Sequence, residues 1–390
     1  PDLQSVIVVG DIKPAEVEAK IKRLFGNIPR AKYAAERIYY PVNDNDRMIV
    51  ATDRDSEQPI MLANLYMKHD VVPDRDKSDI SYLRDSYMES LIISMLNARL
   101  QELQQQAVPP FLSATAHAGQ FLVSRTKDAF RLSFGCRQEN VKGSFDAVIA
   151  ESDRAQERQM KVAERQYTER NDRRNRYFVT KALQNFLSAE PIVTEAFRLE
   201  QFRLFTRTVT LEQVNSAAKK LISDKNQVLV VYAPDKPEFN LPSNDTLERY
   251  VLDAQAKTYE PYKEEKLAGE LVPRLPESGK IVSERSGPHG TKVLELSNGI
   301  NVYVKQTDFS KDQIDMRLWG DGGTSLYPNC DVPNFPFVSG AVTDAGAGTF
   351  DKNGLRKMLS SKIASVSPSF SDDTQQLSGK SSVKDLKTML

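Results

Sequence analysis

Apolar positions along the chain recur with two periods, and each period predicts a different element. From Phe130, the residues Phe130, Leu132, Phe134 and Cys136 alternate with Arg131, Ser133, Gly135 and Arg137. That is the period of a strand with one buried face. "PIMLANLYMKH" is apolar on both faces and predicts a central strand. "MIVATD", "FLSATAHAG" and "NQVLVVYAP" predict three more. Between them, Ile80, Leu83, Tyr87, Leu91, Met95 and Leu103 keep helical spacing, which predicts a long helix over 77–106. A charged helical stretch runs from Val141 to about Leu187. Thr210 caps a further helix that aligns Leu211, Val214, Ala218 and Leu221.

The two ends carry related patterns. The chain opens with a β-branched run, Val6–Val9, which predicts a strand. A Gly-Asp turn and an amphipathic helix follow, with Pro14 in its first turn and Gly26 as its stop. "SVIVVGDIKPAE" resembles the later "QVLVVYAPDKPE", a weak sign of an internal repeat. "YYPVNDND" reads as a linker. Residues 236–288 are rich in proline and charge and read as an extended connector, with a short helix at 247–256. Beyond it, Asn298-Gly299 between two alternating runs predicts a hairpin. A strand in "DQIDMRLWGDGG", a helix and another strand follow. Strands in separate groups with interspersed helices predict an α+β fold, each domain a mainly antiparallel sheet with helices on one face.

Composition narrows the functional classes. The 390 residues carry 53 Lys+Arg against 53 Asp+Glu, so net charge argues for neither nucleic acid nor a membrane surface. No apolar run approaches a membrane span. The basic, aromatic-interleaved segment from Glu151 to Arg176 holds eight basic and six acidic side chains, which reads as a solvated helix face. Cys136 and Cys330 match no metal or redox spacing. The three histidines, His69, His117 and His289, are too far apart in sequence to form a local zinc pair. His117 reads as a structural residue in a strand, His69 as a surface or turn residue and His289 as loop. Asp321, Asp344, Asp351, Asp372 and Asp373 lack the spacing of a calcium loop and read as turn residues. "GDIKPAE" has one glycine and no dinucleotide fingerprint.

The stretch "LELSNGINVYVKQTD … IDMRLWGDGGTSLYP … GTFDKNGLRKMLSSKIASVSPSFSDD" resembles the opening of a domain in the insulinase or pitrilysin-type zinc peptidases. The start of the chain resembles the end of such a domain, and residues 38–235 resemble the family's second domain. The resemblance implies an internal fragment: 1–37 closes domain one, 38–235 is domain two, 236–288 joins the halves, and 289–390 begins domain three. It implies a zinc-dependent parent enzyme that cleaves peptides or small proteins in a closed chamber, with domains one and four outside this chain.

The family's zinc motif, H-x-x-E-H, is absent here. Its place in domain three, "SLYPNCDVPNFPFVSGAVTDAGAGTF", has no histidine, which implies a degenerate copy. The family's substrate-binding Arg and Tyr, seven residues apart, correspond to Gln104 and Phe111. Glutamine is a neutral donor and phenylalanine donates nothing. No catalytic, substrate-binding or metal residue is therefore assigned to this chain, and no zinc is expected on it. A rival from another class is a non-catalytic scaffold or partner subunit of the same family. Bacterial members are often exported, which suggests the periplasm or cell envelope.

Overall fold

The computed structural model describes residues 3–257, except 34, 107 and 151–174, and residues 271–390, except 273, 275, 276, 311, 360 and 361. The middle of the charged helical stretch and part of the connector lie outside the described residues. The chain divides into two compact units, Pro1–Lys263 and Glu264–Leu390.

In the first unit, helix α1 spans Pro14–Phe25. A sheet follows, made of β1 (Ile49–Asp55), β2 (Met61–Asp70), β3 (Phe111–Gln120), β4 (Lys127–Cys136) and β5 (Gln227–Pro234) in the order β1-β5-β2-β4-β3. Only β1 and β5 run parallel. Strand β2 lies at the centre, as its two-sided apolar pattern predicts, and pairs Leu65 with Leu132 of β4 and Leu229 of β5. The helices are α2 (Ile80–Gln104), α3 (Val141–Ile149), α4 (Asn175–Ser188), α5 (Glu195–Thr208), α6 (Leu211–Leu221) and α7 (Asn244–Gln255).

One sheet face is closed by α2, α3 and α7. Met61, Ala63, Leu65 and Met67 of β2 and Phe130, Leu132 and Phe134 of β4 form the core with Leu96 and Leu100 of α2, Phe145 of α3, and Leu247 and Val251 of α7. The Phe134 and Phe145 rings meet edge to face at 4.8 Å between centroids. On its other flank, α2 packs Tyr87, Met88, Leu91 and Met95 against Phe205 of α5 and Val214 of α6. Apolar cover on two sides explains why α2 carries seven buried residues. Helix starts follow their capping chemistry. Asp79 accepts from the Ser81 N–H, and Thr210 forms a reciprocal capping box with Gln213.

The expected strand at Val6–Val9 does not form: these residues carry no strand pairing, and Val6 and Val8 stand about half exposed. A strand exists only through its ladder partner, and none of the described residues supplies one. The similarity to "QVLVVYAPDKPE" therefore does not extend to structure, since that run is β5. Helix α1 forms as expected but buries none of its residues.

In the second unit, β6 (Ile281–Ser286), β7 (Lys292–Leu296) and β8 (Asn301–Val304) make one three-stranded sheet. Strand β6 lies inside the stretch expected to be connector, and α7 at its start packs into the core of the first unit. Within that stretch, residues 244–255 and 281–286 are thus ordered elements. The Asn298-Gly299 turn joins β7 to β8, with Gly299 at φ +86°. A second sheet has β11 (Thr374–Ser381) between β10 (Ala364–Phe370) and β9 (Ile314–Asp321). Helices α8 (Phe335–Ala345), α9 (Lys352–Met358) and the single turn α10 (Leu386–Met389) complete the unit. Phe335 of α8 meets Phe370 of β10 with centroids 5.7 Å apart.

Leu100 is fully buried between α2 and the sheet. Leu100→Ala is expected to lower the unfolding free energy of the first unit by about 2–5 kcal/mol. Urea titration followed by far-UV circular dichroism measures this, and a loss well under about 1 kcal/mol would contradict the packing described.

Candidate functional site

The second face of the five-stranded sheet has a different chemistry. Residues that alternate with the core set point there: Asn64, Tyr66 and Lys68 on β2, Thr115 and His117 on β3, and Arg131 and Ser133 on β4. None of the helices of the main core packs on this side. A small apolar cluster of Tyr66, Phe121, Ala129 and Val228 sits at one end, with Val42 against it. Ser133 Oγ donates to Asn64 Oδ1 at 2.6 Å. The remainder of the face is polar, with Asn64 and Lys68 buried and Thr115 and His117 exposed.

Two lysines fasten the segment before β1 to this face. Lys127 is buried and donates to Asp44 at 2.5 Å and Asp70 at 2.6 Å. The hydrogen bond to Asp44, then that to Asp70, raises the Lys127 pKa above the ordinary lysine value. The same bond from Lys127 holds the Asp44 carboxyl below its usual range. Lys68 is also buried and donates to the Asn43 carbonyl at 2.8 Å, with its ammonium 5.6 Å from the Phe121 ring centroid. Burial, then the charge on Lys127, lowers its pKa.

Beside the β3–β4 hairpin this face encloses a cavity of about 120 Å³, lined by Tyr66, His117, Gln120, Leu122, Ala129 and Arg131. His117 and Arg131 are directly opposite each other across β3 and β4. Arg131 stands 5.9 Å from the Tyr66 ring centroid, and its Nε is buried without a hydrogen-bond partner. Gly119, at φ +153°, lies beside the imidazole; a Cβ there would come within 3.1 Å of His117 Cε1. Glycine thus leaves the ring its space.

The residues singled out from sequence fall in separate places. Gln104 ends α2, exposed, and donates to the Leu112 carbonyl at 2.8 Å. Phe111 begins β3 and is fully buried in the core. The pair therefore presents no shared donor surface. His69, on β2, contacts the Asp70 carbonyl through Nδ1 at 3.1 Å, while its Nε2 is buried without a partner. His289 is exposed in a short turn at φ +56°. Cys136 is buried and Cys330 exposed, and both are free thiols. Asp351 accepts from the Gly354 N–H at 2.7 Å, Asp373 from Ser371 at 3.0 Å, and Asp344 pairs with Lys352. These are cap, turn and surface contacts. Among the described residues no three His, Cys, Asp or Glu side chains converge on a metal-sized space. Sequence reasoning passed over Arg131, because on a strand an outward arginine is the ordinary polar half of an alternation.

No family model matches the chain. A zinc protease PQQL-like protein of Arabidopsis thaliana is 23% identical over 289 residues, covering 74% of this chain and 28% of the relative. A probable zinc protease PqqL of Haemophilus influenzae is 21% identical over 417 aligned positions, covering 100% of this chain and 43% of the relative. The crystal structure of the periplasmic protease PqqL from Escherichia coli superposes over 97% of this chain with a TM-score of 0.55 and 16% identity. The chain is similar in sequence to zinc proteases of the insulinase/pitrilysin type and shares their fold. The ferredoxin protease FusC, solved as a point mutant in complex with Arabidopsis ferredoxin, has the same fold, with a TM-score of 0.53 and 20% identity. The chain spans less than half the length of these family members: 28% and 43% of the two relatives, and 43% of each solved structure.

Two measurements check this description. Asp44 is depressed in the folded state, so its contribution is present above the unfolded pKa of about 3.9 and lost as pH falls through the folded value. Asp44→Asn is expected to lower the urea midpoint at about pH 6, with the difference shrinking steadily below about pH 4. A constant difference across that range would contradict the Lys127 pairing. Burial pushes the Cys136 thiol pKa up to about 12, whereas Cys330 is exposed. A thiol-disulfide reagent is expected to modify one thiol rapidly in the folded chain and the second only after denaturation.

Proposed function

We propose that the parent protein is a zinc-dependent endopeptidase that cleaves peptides or small proteins in an enclosed chamber. Residues 38–235 form a non-catalytic part of the chamber wall. Residues 1–37 close a preceding domain, 236–288 join two halves, and 289–390 open a degenerate third domain. The observation that carries this reading is the asymmetry of the first unit's sheet, with the main core and its helices on one face and a largely polar set of side chains on the other. A chamber wall needs a rigid, apolar-backed sheet whose inner surface stays wet and tolerates varied peptide. The names of the relatives support the zinc peptidase class. A protein substrate is supported by the ferredoxin bound in the FusC complex. The zinc is proposed to sit in the parent protein outside this chain, a reading supported by the lack of a three-donor cluster among the described residues. A periplasmic location is supported by the similarity to PqqL, a periplasmic protease of E. coli.

A second reading is a non-catalytic scaffold or partner subunit of the family. It is favoured by one observation: α8 and its flanks, residues 325–350, hold no histidine where a zinc helix would stand. Reading the coding sequence upstream of Pro1 separates the two. An H-x-x-E-H codon run identifies a peptidase, and a full-length domain with that run replaced identifies a scaffold. Assayed alone, the 390-residue chain is expected to cleave no member of a fluorogenic peptide panel, with or without added zinc. Chelator-sensitive turnover by this chain alone would overturn its non-catalytic role.

A further inference from the structure

The cavity beside the β3–β4 hairpin is more selective than a neutral wall requires. Its floor is Tyr66 and Ala129, both buried, and its sides are Arg131, His117 and Gln120. Leu122, held at φ +50°, is exposed at its lip. None of the six lining residues is acidic. Arg131 makes no hydrogen bond or ion pair within the described residues, and its Nε is shut off from solvent. A buried N–H without an acceptor is costly, and most such groups in folded proteins find a partner. The ring face of Tyr66 offers the guanidinium attraction but no lone pair. The next polar side chain along β2 on the same face is Lys68, directly opposite floor residue Ala129 in the ladder. It is buried and bonded to a neutral carbonyl rather than a carboxylate. Lys127 is different, because it pairs directly with two aspartates.

Asp44 and Asp70 balance Lys127 and Lys68, since Asp44 also acts on Lys68, and Arg131 is left without an acidic partner among the described residues. It borders a space of about 120 Å³, room for a small planar acceptor and little more. The geometry points to a carboxylate-binding pocket, in which Arg131 and His117 hold a carboxylate of a peptide against the sheet and Leu122 covers an adjoining apolar side chain. Arginine suits this task because its fork of donors matches two carboxylate oxygens, and charge-assisted bonds of this kind are stronger than neutral ones. The inference rests on the reading of this face as peptide-facing. It adds a preference for acidic peptides, or for free carboxyl termini, to that reading.

Fluorescence polarisation with three labelled, N-acetylated heptapeptides tests it. One carries Leu-Glu-Leu at its centre and an amidated end. The second carries Leu-Gln-Leu and an amidated end. The third carries Leu-Gln-Leu and a free carboxyl terminus. The 390-residue chain is expected to bind at least one carboxylate peptide about tenfold or more tightly than the neutral one, and the stronger of the two identifies the source. Arg131→Gln is expected to abolish the preference. His117→Gln, at an exposed position whose change leaves the core untouched, is expected to weaken it several-fold. Circular dichroism of both variants monitors folding. Equal binding of all three peptides, or a preference that survives in both variants, would overturn the pocket and leave the peptide-facing reading standing. Binding of none of them would overturn both.

Discussion

The centre of the first unit is a strand that must satisfy two environments at once. Strand β2 pairs on both edges, with β4 and β5, so its backbone groups are all committed to the ladder. Its alternate side chains then divide cleanly. Met61, Ala63, Leu65 and Met67 enter a dry core with α2 and α7, while Asn64, Tyr66 and Lys68 enter the opposite face. A slip of one residue would exchange the two sets, placing Lys68 among phenylalanines and Leu65 in water. The register of β2 therefore determines where the helices lie, which face is left open, and which residues that face displays.

The open face is held in shape by charge rather than by covering helices. Lys127 clamps Asp44 and Asp70, and Lys68 reaches the Asn43 carbonyl, so the segment leading into β1 is fastened at the edge of the surface. An isolated surface ion pair contributes little. Here the cation is buried and shared by two carboxylates, and removal of either acid leaves the ammonium less well matched. The same network accounts for the uneven charge along the face. Asp44 and Asp70 balance Lys127 and Lys68, and Arg131 has no acidic partner among the described residues.

Likeness to zinc peptidases is not matched by a zinc site among the described residues. The three histidines lie on β2, on β3 and in a turn of the other unit, and none has two acidic, thiol or imidazole companions among the described residues. Gln104 and Phe111 serve the structure. One holds the Leu112 carbonyl, and the other fills the core beneath the β3 edge. The donors proposed to meet peptide, Arg131 and His117, lie on the other face of the sheet.

Much of the fold was legible in the linear pattern because it depends on near neighbours. The alternation at Phe130–Cys136, the Thr210 cap, the Asn298-Gly299 turn and the helical spacing of α2 all express local rules, and all appear in the structure. The α+β class and the family resemblance followed from their order. Local rules failed where the outcome needed a distant partner. Val6–Val9 has the composition of a strand and no ladder to join. Proline and charge after Pro234 suggested a connector, yet α7 docks on the core and β6 pairs with β7. The candidate pocket was hidden for the same reason. Sequence by itself determined that Arg131 and His117 are the polar members of two strands. Only the tertiary structure decided that they stand opposite one another, beside Tyr66 and near Lys68, with no acid to neutralise them, because cross-strand register is a long-range property that no local spacing encodes.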